Sequence, residues 1–161
     1  MKNDIGSILV DKGLTISVAE SCTGGLIGSM ITDVPGSSRY FLGGIIAYSN
    51  QSKIEILNVS SKTIEEHGAV SDQTVREMAW GAKRLFNSNL GLAVTGIAGP
   101  DGGSIEKPVG TVFIGLAAED RIFTAGHRFH GTRGEIKQET ARMALDYLRR
   151  YLNGDTFLPG I

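Results

Sequence analysis

The fold is decided by the stretch from Thr15 to Asp33, "TISVAESCTGGLIGSMITD". Its first residues are apolar and rich in β-branched side chains, which is typical of a buried strand. Its last residues have the apolar spacing of a helix, which must stop before Pro35. A strand that passes through a short glycine-rich turn into a helix is a building unit of α/β proteins. The turn itself, "AESCTGG", raises the question of function.

The rest of the chain continues the alternation of helices and strands. A first helix is expected to end at Gly13, and the paired glycines in "YFLGGIIAYS" predict a bulge or a close contact within a strand. Two short helices, a further strand and a hairpin closed around "ED" follow in the segments "NQSKIEILN", "SSKTIEEHG", "LGLAVTG", "VGTVFIGLAA" and "RIFTAGHRFH". The hairpin makes the sheet mixed, so the pattern predicts a layered α/β fold.

Two amphipathic helices stand out. Ser71 is expected to cap the first, whose apolar face is Val75, Met78, Ala79, Ala82, Leu85 and Phe86. Thr132 and Glu135 have the spacing of a capping box at the start of the second. Its predicted buried face is Ile136, Thr140, Met143, Ala144, Tyr147, Leu148 and Tyr151.

Length and composition restrict the class of protein. A chain of 161 residues, 41% hydrophobic and 20% charged, suits one globular domain over residues 1–161. A net charge of −1 without a basic run argues against nucleic acid or an anionic membrane as a partner. The apolar stretches are too short to span a bilayer, and the start lacks the pattern of a signal peptide, so a cytoplasmic location is expected. A single cysteine excludes an intramolecular disulfide and a cysteine-rich metal site.

Ser21 lies where the strand passes into the helix, and two interpretations are open. It is either a nucleophile, or it or Thr23 simply caps the helix. The backbone N–H groups from Cys22 through Gly24 to Gly25 are expected to point out of the turn, as an oxyanion hole or a phosphate cradle. The neighbouring Cys22 is either a rival nucleophile or a small buried side chain. The stretch matches neither the P-loop nor the Gly-x-Ser-x-Gly pattern.

A serine nucleophile needs a base. His67 is expected to end a helix, whereas His127 and His130 lie near the end of a predicted strand and are expected at the surface or in the second shell of the site. The segment "AYSNQSK" places Tyr48 at the end of a strand and Lys53 in the next helix. A lysine acts as a base when burial lowers its pKa, although a single lysine on a helix is more often a solvated charge.

The loop "IAGPDGGSIEKP" follows the strand that ends at Thr95. Ligands bind beyond the carboxyl ends of strands in open α/β sheets, so the loop is a candidate binding element. Asp101 is expected to form a turn rather than to bind metal, because no second ligand lies at a suitable spacing. Arg133 opens the last helix and is either part of an anion site or a surface residue. The candidate ligand-binding positions are Thr95, Gly96, Gly99, Asp101, Gly102 and Arg133.

Several motifs together resemble one known family. The segments "AESCTGG", "VPGSS", "AYSNQSK", "HGAVS" and "TGIAGPDGG…KPVGTV" occur in the order found in the CinA C-terminal-domain family. This family includes amidohydrolases that deamidate nicotinamide mononucleotide (NMN). The resemblance runs from about Leu14 to Leu152.

The resemblance implies a three-layer α/β/α sandwich that hydrolyses the amide of a pyridine nucleotide without a metal or cofactor and that forms a homo-oligomer. Ser21 matches the nucleophile and Lys53 the general base, with Tyr48 beside it. Thr95 and Arg133 match positions that contact substrate.

Two other functions remain open at the level of the sequence. The glycine-rich loops also suit an enzyme that carries out phosphoryl or pyrophosphate chemistry, although metal ligands are missing from the pattern. The third interpretation is a domain that binds a nucleotide without catalysis, as inactive relatives suggest.

Overall fold

The computed structural model describes residues 2–155, with side chains from residue 5 onward. A five-stranded sheet forms its centre, with the strand order β2-β1-β3-β4-β5. Strand β1 pairs in parallel with β2 and β3, whereas β4 is antiparallel to both β3 and β5. The sheet is therefore mixed, and β4 and β5 form the expected hairpin. The strands are β1 (Ile16–Glu20), β2 (Phe41–Ile46), β3 (Leu90–Gly96), β4 (Thr111–Ala118) and β5 (Arg121–Arg128).

Helices cover both faces of the sheet. They are α1 (Lys2–Lys12), α2 (Leu26–Thr32), α3 (Asn50–Glu55), α4 (Ser61–His67), α5 (Asp72–Phe86) and α6 (Arg133–Leu152). The expected helix caps are present, with Ser71 at the start of α5 and the Thr132–Glu135 capping box at the start of α6. Within the part of the chain described, no helix is long and apolar enough to cross a membrane.

Two hydrophobic clusters, one on each side of the sheet, hold the layers together. On one side, side chains from α1, α2 and α6 pack against the sheet, with Leu9, Ile27 and Leu148 fully buried. On the other side, α5 packs with the segment after α3, through Met78 and Leu57. The three-layer α/β/α architecture expected from the resemblance is therefore confirmed.

The two glycines of β2 produce both features that their pairing predicts. The register of β2 against β1 shifts between Phe41 and Gly43, which is a bulge. Gly44 lies so close to β1 that an added Cβ would overlap the Val18 side chain.

One expectation for the buried face of α5 is wrong, because Leu85 is 51% exposed. The next residue, Phe86, packs against Gly43 of β2, so Leu85 faces away from the sheet.

The turn between β1 and α2 is organised by Glu20, which is only 2% exposed. Its Oε1 accepts hydrogen bonds from the Thr23 hydroxyl at 2.6 Å and from the N–H groups of Gly25 and Ile27 at 3.2 and 2.9 Å. Its Oε2 accepts the N–H of Gly28 at 2.9 Å. One buried carboxylate thus satisfies donors at the start of α2 that have no partner within the helix.

Of the two interpretations of the turn, the one in which Ser21 or Thr23 caps α2 is therefore wrong. The residue at the cap position is Gly25, with a left-handed φ of 106° and no side-chain hydrogen bond. The capping acceptor comes from Glu20 at the end of β1, and the Thr23 hydroxyl donates to that same carboxylate. Ser21 is left free of any role in capping.

We predict that Glu20→Gln destabilises the fold. The amide nitrogen cannot accept a hydrogen bond, so at least one buried donor loses its partner, at a cost of about 1.5–3 kcal/mol in the free energy of unfolding. Chemical denaturation measures this cost. Glu65→Gln, at an exposed position of α4, is the matched control and should stay within about 0.5 kcal/mol of wild type. Equal stability of the two variants would contradict the capping role of Glu20.

Candidate active site

The candidate site lies at the carboxyl ends of the three parallel strands. Ser21 directly follows β1, Tyr48 comes soon after β2, and Gly96 is the last residue of β3. Because the chain leaves β1 toward β2 on one side and returns to β3 on the other, a crevice opens at this edge of the sheet. Strand order alone therefore brings these separate segments of the sequence together.

At the centre of the crevice, a serine meets a buried lysine. Lys53 is 1% exposed and Ser21 is 7% exposed. The Nζ atom of Lys53 lies 2.9 Å from the Oγ atom of Ser21. The same amine donates to the backbone carbonyls of Ala47 at 2.8 Å and Tyr48 at 3.3 Å. The residue that follows β1 and the helix that follows β2 are thereby joined through one nitrogen atom.

The three acceptors around Nζ match the three N–H groups of the charged amine. Loss of one proton leaves two N–H groups for the two carbonyls. The lone pair of that neutral amine can then accept the hydroxyl proton of Ser21. Burial lowers the pKa of Lys53 from 10.5 to about 8, because removal from water disfavours the cation. At pH 7 this shift increases the neutral fraction roughly 300-fold, so the pair can act as a nucleophile and its base.

Cys22 is not suited to be the nucleophile. Burial raises the pKa of its thiol to about 12, so the reactive thiolate is scarce near neutral pH. The side chain packs beside β3, where a Cβ added to Gly96 would lie 3.1 Å from its Sγ atom. These features fit the interpretation of Cys22 as a small buried packing residue.

Two backbone N–H groups of the turn already donate hydrogen bonds within the fold. The N–H of Gly24 donates to the carbonyl of Ser21 at 3.0 Å, and the N–H of Gly25 donates to Glu20. The N–H groups of Cys22 and Thr23 take part in neither the turn nor the Glu20 cap. They are the better candidates for binding an oxyanion beside Ser21.

A cavity of about 190 Å³ opens over this pair. The hydroxyl of Thr95 donates to the Ala69 carbonyl at 2.8 Å and thereby fixes one wall. No Asp or Glu belongs to the described lining, whereas Lys53 and Arg133 do. The lining residues are Ser21, Cys22, Tyr48, Asn50, Lys53, Ala69, Val70, Thr95, Gly96, Ala98 and Arg133.

Arg133 joins three segments at the mouth of the cavity. Its Nη1 donates to the carbonyl of Gly99 at 2.6 Å, and its Nη2 donates to the phenol oxygen of Tyr48 at 2.8 Å. The Tyr48 phenol therefore contacts Arg133 in this structure, while the Tyr48 carbonyl contacts Lys53. Because Lys53 reaches Ser21 directly, the tyrosine is not needed to relay a proton between them.

The remaining loop candidates lie farther out. Asp101 and Gly102 are exposed, and neither belongs to the described cavity lining. Lys107 attaches the outer part of the loop to the end of α4 by donating to the His67 carbonyl at 2.6 Å. In the part of the chain described, no three His, Cys, Asp or Glu side chains are grouped so that they could hold a metal ion.

The histidines lie outside the cavity lining. His67 is the last residue of α4, as expected from the sequence. His127 lies 2.6 Å from the Tyr147 hydroxyl, between β5 and α6, and His130 is exposed. His67 therefore lies at the expected helix end and His130 at the expected surface, whereas His127 contacts no residue of the described cavity lining.

Sequence reasoning did not select three kinds of residue at the site. Glu20 carries a local signal, because a carboxylate directly before a glycine-rich helix start is an available cap. Asn50 lies inside the segment "AYSNQSK" but was not distinguished from its neighbours. Ala69 and Val70 contribute a wall through long-range packing and carry no chemical signal.

Comparisons with known proteins agree with this architecture. A family model described as the CinA C-terminal domain matches residues 1–152. A CinA-like protein from Geotalea uraniireducens is 51% identical over 148 residues, which is 92% of this chain and 35% of that protein. A CinA-like protein from Fervidobacterium nodosum is 51% identical over 150 residues, which is 93% of this chain and 37% of that protein. The chain thus spans little more than a third of the length of these curated relatives.

Solved structures show the same fold. A CinA superfamily protein from Klebsiella pneumoniae superposes with a TM-score of 0.92 at 29% identity, covering 95% of this chain and 96% of that one. The competence/damage-inducible protein CihA from Agrobacterium tumefaciens has a TM-score of 0.87 at 41% identity, covering 93% of this chain and 96% of that one. With the family match over residues 1–152, the chain belongs to the CinA C-terminal-domain family.

Proposed function

We propose that the protein hydrolyses the carboxamide of nicotinamide mononucleotide to give nicotinic acid mononucleotide and ammonia. The observation that carries the proposal is the 2.9 Å contact between the Ser21 hydroxyl and the buried amine of Lys53. A serine beside a base of lowered pKa is the arrangement needed for acyl transfer. The choice of substrate rests on the resemblance of the motifs to the NMN deamidases of this family.

The first half of the reaction forms an ester on Ser21. Neutral Lys53 takes the hydroxyl proton while Oγ attacks the carboxamide carbon, and the backbone N–H groups of Cys22 and Thr23 bind the oxyanion. As the tetrahedral intermediate collapses, the C–N bond breaks. Lys53 gives its proton to the leaving nitrogen, which departs as ammonia.

The second half restores the enzyme. Lys53 removes a proton from a water molecule, whose oxygen attacks the ester carbon. The C–O bond to Ser21 then breaks, and Lys53 returns the proton to Oγ. The product is the carboxylic acid, and both side chains regain their starting states, which is consistent with catalysis that needs no cofactor.

The cavity suits the reacting end of such a substrate. Its volume of about 190 Å³ lies below the ~300–1,000 Å³ of clefts that bury a whole drug-sized ligand. The pyridine ring and its amide are therefore placed inside, between Ser21 and Thr95. The ribose and phosphate extend past Arg133, toward the loop that contains Gly99, Asp101 and Gly102.

The assembly and cellular location expected from the sequence remain predictions. Self-association is supported by β2, an edge strand of the sheet on which Leu42 and Ile46 are 45% and 56% exposed. Edge strands with apolar side chains favour pairing with another chain. The expected location is the cytoplasm.

We predict that Ser21→Ala abolishes release of ammonia from NMN while leaving NMN binding nearly intact. Removal of a nucleophile costs several orders of magnitude in rate and little in affinity. A coupled ammonia assay and equilibrium titration measure the two effects. Cys22→Ala is the control at the neighbouring residue and should keep most of the wild-type rate. The rate of the wild-type protein should be unchanged by EDTA.

Two results would contradict the assignment of Ser21. Retention of more than about a tenth of wild-type turnover by Ser21→Ala would exclude it as the nucleophile. Inactivation by Cys22→Ala instead would move that role to the thiol. Loss of activity in EDTA that divalent metal restores would favour metal-assisted chemistry.

The lowered pKa of Lys53 predicts the pH dependence. Because the base must be neutral, kcat/KM should rise about tenfold per pH unit in the acidic range. It should level off near pH 8, because burial lowers the pKa of Lys53 to about 8. Lys53→Arg should be inactive because a guanidinium does not lose its proton in this range. Initial rates between pH 6 and 10 provide the measurement, at roughly one-unit intervals. An active arginine variant would rule out Lys53 as the base.

A further inference from the structure

The segment between α4 and α5 forms one wall of the candidate active site. It consists of residues 67–71, "HGAVS", and is called the strap below. Ala69 and Val70 line the catalytic cavity, whereas His67 and Ser71 line a second cavity of about 620 Å³. The strap thus borders two cavities, and its residues 68–70 are only partly buried. Packing alone therefore does little to fix the position of this wall.

Side-chain hydrogen bonds hold the strap in place. Among the described contacts, no backbone N–H donates to the carbonyls of residues 67–69. The carbonyl of Gly68 accepts the hydroxyls of Ser71 and Thr74 at 2.9 and 2.7 Å. The carbonyl of Ala69 accepts the hydroxyl of Thr95 at 2.8 Å. These contacts attach the second half of the strap to the start of α5 and to β3.

The first half of the strap is held by Lys107, which lies in the loop between β3 and β4. The Nζ atom of Lys107 donates to the carbonyl of His67 at 2.6 Å. It also lies 3.1 Å from the position that a Cβ on Gly68 would occupy, and Gly68 has a left-handed φ of 83°. A glycine suits this position, because a side chain would be strained there and would crowd the amine.

Lys107 is itself fixed on its own loop. Its N–H donates to the hydroxyl of Ser104 at 3.0 Å, and its carbonyl accepts the N–H of Ser104 at 2.9 Å. Among the described side chains, no ion pair includes Lys107. Its charge lies instead at the carboxyl end of α4, where the helix dipole favours a cation and a charged donor makes a strong hydrogen bond.

We propose that Lys107 is a positioning residue that holds the strap in the shape that binds the pyridine ring of the substrate. By fixing the His67 carbonyl, it fixes the place of Ala69 and Val70 in the cavity wall. The wall is then ordered before the substrate arrives, so binding does not include the free-energy cost of ordering it. The identity of the substrate rests on the proposed function, whereas the hold on the strap rests on the contact between Lys107 and His67.

The kinetic test uses Lys107→Met, which keeps an apolar stem and removes the N–H donors. KM for NMN should rise about tenfold, near the lower end of the effect of losing one charged hydrogen bond. Because the contact between Ser21 and Lys53 involves no atom of the strap, kcat should stay within about twofold of wild type.

Two further variants complete the comparison. Lys107→Arg still carries N–H donors and should restore most of the wild-type KM. Lys62→Met removes a lysine whose side chain is 78% exposed on α4, and it should change neither constant. Partial unfolding would instead lower kcat and leave KM unchanged, because fewer molecules would be active. An unchanged KM in Lys107→Met, or failure of Lys107→Arg to restore it, would overturn the proposal.

Hydrogen–deuterium exchange separates this inference from the proposed reaction, because it needs no substrate. In Lys107→Met, amides of residues 64–71 should exchange faster, while those of β1 stay as in wild type. Faster exchange confined to these residues, without NMN hydrolysis by the wild type, would support the role of Lys107 and contradict the reaction. NMN hydrolysis with identical exchange in the two proteins would support the reaction and overturn the role of Lys107. Faster exchange throughout the variant would indicate a general loss of stability and would also overturn that role.

Discussion

The structure depends on a lysine amine that is removed from water and held against a serine hydroxyl. Burying a charged ammonium is costly, and a protein avoids that cost by favouring the neutral form. Lys53 is 1% exposed, and the carbonyls of Ala47 and Tyr48 satisfy its N–H groups. Without these two acceptors the amine would be an unsatisfied polar group in the interior. With them the amine can lose a proton without leaving an N–H group unsatisfied, and the lone pair of the neutral form can reach Ser21.

The fold produces this arrangement through hydrogen bonds and a helix cap at one edge of the sheet. The Glu20 carboxylate fixes the turn after β1, so the position of Ser21 does not depend on a ligand. The short helix α3 starts at the Ser49 cap, and its last turn directs Lys53 inward. Arg133 then closes the outer side through Tyr48. A site built from rigid strand ends and capped helices is organised before the substrate arrives.

Much of the fold follows from local patterns in the sequence. The passage from β1 to α2, the hairpin of β4 and β5, and the cap at Thr132 all result from interactions between residues that are close in the chain. The exposure of Leu85 could not be predicted in this way, because it depends on how α5 is rotated over the sheet, where Phe86 rather than Leu85 contacts β2. The sequence does not predict Glu20 as a cap, because N-caps are usually Ser, Thr, Asp or Asn at the cap position itself, whereas Glu20 lies five residues before Gly25.

The site was less accessible to sequence reasoning than the fold. Ser21 was one of two interpretations of its turn, and Lys53 was identified through the family resemblance rather than from its own pattern. Its contact with Ser21 spans 32 residues of sequence, and only the strand order brings the two together.

The most direct test of the account is the titration of the Lys53 amine itself. Lysine labelled with ¹³C at Cε allows its pKa to be read by NMR, with Lys53→Arg used to assign the resonance. The account predicts a midpoint near 8, lowered by burial from 10.5. A midpoint at or above 10.5 would leave only about one amine in three thousand neutral at pH 7, and it would contradict a catalytic pair of Ser21 and neutral Lys53.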